Sequence, residues 1–311
     1  MQSICMTGTE GVHSTKALNF LVFACTLYCF QSFNVWFLWG STIKIIALLL
    51  CVFSIFYNRS YNNVFNKFRA QHLFIAVFFA IVSINAANSE SIISLVKSFL
   101  DIYIIANVIT LKKEVLKKQF SVITTVFAII SLISLLGWLV YLFDPELLPH
   151  TSIQSKDLGY RFDNYYIFLR GVSILPRFCS VFLEPGHYIL ISCPILFINK
   201  FNIRDKRILI ILVASIFAFS LAFFLVCIFA LICFNHIVRS IFLYVFIFII
   251  GAIAVPQIQK INGGDNIVNQ LIIMRLQVDD DKGLSGNNRN SDDFNRYYNK
   301  FLKSDKVYFG D

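Results

Sequence analysis

Phe120–Phe143 reads FSVITTVFAIISLISLLGWLVYLF, a run of 24 residues without a charge. A helix of this length crosses the roughly 30 Å hydrocarbon core of a bilayer. The same pattern recurs on both sides. Upstream lie Ala17–Phe33, Ser41–Tyr57, His72–Asn85 and Ser91–Leu111; downstream lie Ser180–Ile198, Ile208–Phe234 and Ser240–Val255. Of 311 residues, 57% are hydrophobic and 14% charged. Soluble domains carry roughly a quarter charged residues, so this chain has too few to cover a water-facing surface. The composition predicts an all-α fold, a polytopic transmembrane helical bundle, and excludes a soluble enzyme, a disordered tail and a secreted disulfide scaffold. The first run lacks a signal peptide's cleavage pattern and reads as an uncleaved span. Shorter runs need flanking residues or thinned lipid to cross.

Lysine and arginine in the short connectors set the orientation. Arg59, Lys67 and Arg69 mark one connector, Lys112, Lys113, Lys117 and Lys118 the next, and Lys200, Arg204, Lys206 and Arg207 a third. They alternate correctly with the spans, which predicts a cytoplasmic side for all three and for the N-terminus. Trp36, Trp39 and Trp138 fall near the opposite interface, where indole rings prefer to sit. Ile208–Phe234 is long for one crossing and short for two. As one helix it sends the tail to the cytoplasm. As two helices broken near Ser220 it keeps Arg239 inside and the tail outside, which is the preferred reading. That gives about nine membrane segments in one domain over 1–311: five spans in 17–143, an outer loop 144–178, further spans in 179–255 and an outer tail 256–311. Both outer segments read as loop or surface helix. The formal charge of +9 sits in the connectors, while the first outer segment balances four cations against four anions. The excess is therefore a topology signal, and no nucleic-acid partner is expected.

The eight cysteines form no CxxC pair and mostly lie in apolar runs, where thiols pack as small hydrophobes. Lys97 and Asp101 are four apart in one span and share a helix face. They form either a neutralised pair that fixes packing or an ion or proton relay, as in a transporter. Lys44 lies near a span end and snorkels. Asp279–Asp281 and Asp292–Asp293 match no established metal-binding spacing and read as a solvated face, so no metal and no cofactor are expected. No P-loop, dinucleotide fingerprint or His-Glu-x-x-His is present.

The segment with chemistry is Arg177-Phe-Cys-Ser-Val-Phe-Leu-Glu184-Pro185-Gly186-His187, where the first outer segment re-enters the membrane. Pro185 suits the first turn of a helix, which sets Glu184 at its mouth beside the positive end of the dipole. His187, three residues on, lies on roughly the same face. A capping role would account for Glu184 without chemistry. Tyr160, Phe162, Tyr165, Tyr166 and Phe168 in the outer loop, with Phe294, Tyr297, Tyr298 and Tyr308 in the tail, serve either to stack on sugar rings or to anchor at the interface.

The Arg–gap–Glu-Pro-Gly pattern resembles bacterial O-antigen polymerases of the Wzy type, in the superfamily that includes O-antigen ligases. The resemblance covers about the second half of the chain, with a broken helix pair near Ser220 and an Arg289-Asn290-Ser291 element before an aromatic stretch. Ser180 stands where those proteins commonly have Gly. The family pattern also implies a Gly-x-Gly turn and closing spans beyond Phe309-Gly310-Asp311, so a C-terminal truncation is expected, and with it an inactive copy is one reading. The resemblance implies polymerisation of undecaprenyl-diphosphate-linked oligosaccharide repeat units into O-antigen, capsule or exopolysaccharide at the outer face of the bacterial cytoplasmic membrane. A ligase moving finished glycan to an acceptor is the alternative. Membrane lipid, a chain-length regulator and a flippase are the implied partners. Within it, Arg177, Arg289, Arg170 and Arg275 would bind diphosphate, Glu184 or His187 would act as general base, and Tyr160, Tyr165, Tyr166, Tyr297 and Tyr298 would bind sugar. Pro185 and Gly186 would shape the motif.

Overall fold

The computed structural model describes residues 9–33, 35–61, 64–67, 72–78, 92–154, 161–171, 177–234 and 255–264, with isolated positions between 266 and 303. It is mostly helical. The main helices are α1 (Thr9–Ser32), α2 (Ser41–Tyr61), α3 (Ile92–Val108), α4 (Lys113–Phe143), α5 (Pro185–Ile198), α6 (Lys206–Phe217) and α7 (Leu221–Phe234). Thr42–Ser60 within α2 and the whole of α4 are long and apolar enough to cross a membrane. Residues 72–78 are helical, and of the run at 240–255 only Val255 is described. The described chain forms two compact units that divide between Ile123 and Thr124, inside α4.

In the first unit α1 packs on α2, and α2 on α3. The core holds Leu21, Cys25, Leu48, Cys51, Ile55, Ile104, Leu111 and Val115. The thiols of Cys25 and Cys51 meet at 3.7 Å, a contact between neighbouring helices that linear spacing does not reveal. Asn58 donates to the carbonyls of Ala17 and Ser54, and the first of these bonds fastens the last turn of α2 to α1. Asp101 accepts from the Tyr28 hydroxyl of α1. Lys97 is exposed, and the one ion pair among the described residues is Arg207–Asp205 at 2.7 Å. The expected Lys97–Asp101 pairing is thus replaced by a neutral donor from a neighbouring helix. That donor satisfies the carboxylate without burying an ammonium group beside it.

The second unit is built around the rest of α4. Here the expectation of loop or surface helix needs correction, because the segment after α4 holds a three-stranded antiparallel sheet. Its strands are β1 (Thr151–Gln154), β2 (Arg161–Asn164) and β3 (Leu169–Gly171). Phe162 and Asn164 are buried while Arg161 is exposed, so β2 follows the period-two alternation of a half-buried strand. Charges and tyrosines interleaved with that alternation disguise it as loop. The β2–β3 turn docks on α4. A Cβ on Gly137 would stand 2.1 Å from Ile167 Cδ1 and 2.9 Å from its Cγ1, so glycine makes the room that Ile167 fills. One turn earlier, Ser134 donates to the Ile167 carbonyl at 2.6 Å.

α5 ends at Asn199 in a reversal where Lys200 and Phe201 both have φ 52 and the Phe201 amide reaches back to the Leu196 carbonyl. Asp205 then caps α6 by accepting from the Arg207 amide at 2.9 Å. The stretch 208–234 is two helices. The chain breaks at 218–220, with Phe219 at φ 44, and then reverses. The end of α6 lies beside residues just before α5, since the Phe178 amide donates to Phe217 O. The far end of α7 lies beside the far end of α5, with the Phe197 ring 5.9 Å from Phe229 and 4.8 Å from Phe234. Each of α5, α6 and α7 is about 18–21 Å long, short of a full bilayer core.

Gly137→Leu should unseat the β2–β3 turn and cost about 1–3 kcal/mol, read as a lower melting temperature in detergent; adding Ile167→Ala should recover part of the loss. The hydrogen bonds and charge of Arg207 hold the Asp205 carboxyl below the usual carboxylate range. That stabilisation is present above the unfolded pKa of about 4 and is lost as pH falls through the folded value. Asp205→Asn keeps the cap, so it should melt below wild type at pH 7 by a modest margin that closes toward pH 3, the pair being partly exposed.

Candidate functional site

The site is the non-helical stretch 177–184 and the first turn of α5. Pro185 disfavours helical geometry at the residue before it, and Glu184 is extended at φ −138, ψ 152. Phe178, Val181, Phe182 and Leu183 are buried, so the stretch is packed into the unit although it is not helical. Tyr188 anchors the other side. It is fully buried, stacks on Phe127 at 5.1 Å, meets Phe178 edge-on at 5.2 Å and shares a 3.0 Å hydrogen bond with Ser131 of α4.

Ser180 is the pivot of the stretch. Its φ is 54, in the left-handed region that favours glycine. The hydroxyl donates to Ser134 Oγ at 2.8 Å and the carbonyl accepts from the Leu169 amide at 2.8 Å. One residue therefore joins the stretch to α4 and to β3. Ser134 lies nine residues before Phe143, about 14 Å along α4. The site thus sits well inside the end of the longest helix.

Arg177 is half-buried. Its Nε and Nη2 donate to the carbonyls of Ala218 and Phe219, each at 3.2 Å. These carbonyls belong to the break between α6 and α7, where a helix end leaves acceptors without intrahelical partners. Glu184 is the N-cap of α5, yet its side chain makes no capping hydrogen bond and is exposed; its backbone carbonyl takes the His187 amide at 3.1 Å. The capping explanation for the carboxylate therefore fails. His187 Nδ1 is buried and has no partner among the described residues. Pro185 occupies the first helical turn. A Cβ on Gly186 would meet nothing within 4 Å.

The other sequence-derived residues divide. Arg170, on β3, sits over the Tyr141 ring with its guanidinium carbon 5.2 Å from the centroid and hydrogen-bonds Tyr165, while its buried Nε has no partner among the described residues. Tyr165 is buried, stacked on Phe168 at 4.7 Å and edge-on to Tyr141 at 5.2 Å, so packing claims its ring. Burial pushes its hydroxyl pKa up. Tyr166 is the exposed tip of the β2–β3 turn at φ 65, held by its amide donating to Asn164 Oδ1. Tyr298 is exposed. Arg275, Arg289, Tyr160 and Tyr297 lie outside the described residues. Trp138, placed by the sequence at an interface, packs against Phe178 and Phe217. Among the described residues no group of three His, Cys, Asp or Glu is arranged to hold a metal ion.

The residues that sequence reasoning passed over are Ser131, Ser134 and Gly137. Their three-residue spacing on one face of an otherwise apolar run is the available signal, since small and hydroxylated residues mark close helix contacts. No family model, curated protein or solved structure matches the chain.

Ser180 gives a direct test of this geometry. Ser180→Gly loses one hydrogen bond but suits the backbone, and should stay within about 1 kcal/mol of wild type. Ser180→Val has neither property and should lose about 1–3 kcal/mol in detergent melting.

Proposed function

We propose that the chain is a polytopic membrane glycosyltransferase that joins undecaprenyl-diphosphate-linked oligosaccharide repeat units into a longer glycan at the outer face of the bacterial cytoplasmic membrane. The fold in this reading is the bundle of about nine membrane segments, N-terminus inside. Lipid-facing surfaces support it: α2 exposes Ile45, Ile46, Leu49, Phe53 and Phe56, and α4 exposes Ile129, Leu132, Ile133, Leu136 and Val140. Stripes of this size in water would aggregate.

The observation that carries the reaction class is Glu184. Its carboxylate makes no hydrogen bond among the described residues and stands exposed at a helix mouth, directly after the buried run Phe178–Leu183. Gly186 adds to it. Its helical backbone does not require glycine, and among the described residues nothing occupies the space a side chain would fill, as befits a place where a ligand approaches the backbone. In this mechanism Glu184 takes the proton of the acceptor sugar hydroxyl as that oxygen attacks the anomeric carbon of the donor. The anomeric carbon–oxygen bond breaks and the lipid diphosphate leaves with the bonding pair. Developing negative charge on the diphosphate calls for arginine, whose planar fork matches phosphate oxygens. His187 is the second candidate base. Exposed Tyr166 offers a ring face for a sugar. A ligase would use the same chemistry on a different acceptor.

The test is complementation of a polymerase-null strain. The full reading frame should restore long glycan, and Glu184→Gln should reduce it at least roughly tenfold. Gly186→Ala should leave melting unchanged or raised by up to about 1 kcal/mol while lowering polymer output. Absence of long glycan from the unmodified frame contradicts the polymerase reading. Intact lipid-linked polymer with failed attachment points to the ligase.

A further inference from the structure

The family resemblance implies a diphosphate ligand at Arg177, but its hydrogen bonds point elsewhere. Nε and Nη2 both reach carbonyls of the α6–α7 break, Ala218 O and Phe219 O at 3.2 Å. The next residue's amide binds Phe217 O at 3.1 Å, so three successive carbonyls of the break are taken by two adjacent residues. Phe219 holds φ 44 without being glycine, and Ser180, on the opposite side of this contact, holds φ 54. Strained residues of this kind persist only where their surroundings over-determine them. A cation at a helix C-terminus is also favoured by the dipole.

We infer that Arg177 is a positioning residue: it clamps the α6–α7 break against the start of α5 and so sets Glu184 and His187, while the substrate's phosphate charge falls to another arginine. Arg170 is the best placed of the described ones. Its guanidinium lies over Tyr141 and hydrogen-bonds Tyr165 while its Nε has no partner among the described residues, and the Leu169 amide next to it is bonded to Ser180 of the site. Arg177 has no such spare direction in its fork for Nε and Nη2. The role of Arg177 in turnover rests on the glycosyltransferase reading; the clamp itself does not.

The experiment uses the full chain with Ser220→Cys as a reporter, its native cysteines replaced by serine, and a soluble maleimide as probe. Ser220 is 8% exposed at the break. Arg177→Ala should speed labelling of Cys at 220 about tenfold and lower kcat for lipid-linked repeat units, with KM within about twofold. Arg177→Lys, which still donates to carbonyls, should restore slow labelling and most of kcat. Arg170→Ala should raise KM about tenfold with labelling unchanged. The inference is overturned if Arg177→Ala leaves labelling slow, or if Arg177→Lys labels slowly yet shows the KM rise of a lost phosphate fork. If the parent chain shows no transferase activity, the function proposal fails, and the labelling rates of Arg177→Ala and Arg177→Lys still decide the clamp.

Discussion

A helix that stops inside apolar surroundings leaves its last carbonyls without partners, and in this chain that happens between Phe217 and Leu221. Backbone groups in such a place must find donors, since water is scarce and each unmet group costs kilocalories. Arg177 and the Phe178 amide are those donors. The break allows α7 to return alongside α5, and its stabilisation fixes the stretch 177–184 in a non-helical path. The rest of the second unit depends on that path. Without it Ser180 would not reach Ser134 and β3 would lose its link to the site.

A second constraint is steric and comes from α4. Its apolar run is interrupted on one side by Ser131, Ser134 and Gly137, which accept Tyr188, Ser180 and Ile167 in turn. Small residues let backbone approach closely, and hydroxyls supply hydrogen bonds where water is absent. The same helix turns Ile129, Leu132, Ile133 and Leu136 outward. One helix therefore separates an apolar exterior from a polar seam that carries the site.

Much of the helical layout is legible from apolar runs, because a long uncharged stretch has few alternatives to helix. Length alone leaves Ile208–Phe234 open between one helix and two, and the preference for a break near Ser220 comes from keeping Arg239 on the cytoplasmic side. The mouth position of Glu184 follows from Pro185, which fixes both the start of α5 and the extended residue before it. The sheet at 151–171 is harder to see, since each strand has only three or four residues and depends on docking to α4. The partners of charged groups are least legible. Sequence spacing pairs Lys97 with Asp101 and the family resemblance aims Arg177 at a ligand, whereas tertiary contacts give Asp101 to Tyr28 and Arg177 to a helix end. Spacing reports only neighbours on one helix, and these partners come from others.

The site depends on the 177–184 stretch being seated on α4 at Ser134. A disulfide trap measures it most directly. In the full chain with native cysteines replaced by serine, Ser134→Cys and Ser180→Cys are combined and treated with a mild oxidant in membranes. Rapid crosslinking within one chain is expected, seen as a protected pair of thiols that a reductant releases, with Ser134→Cys combined with Ile203→Cys, exposed in the α5–α6 connector, reacting far more slowly. Free thiols at 134 and 180 after oxidation would contradict the seating of this stretch and the site built on it.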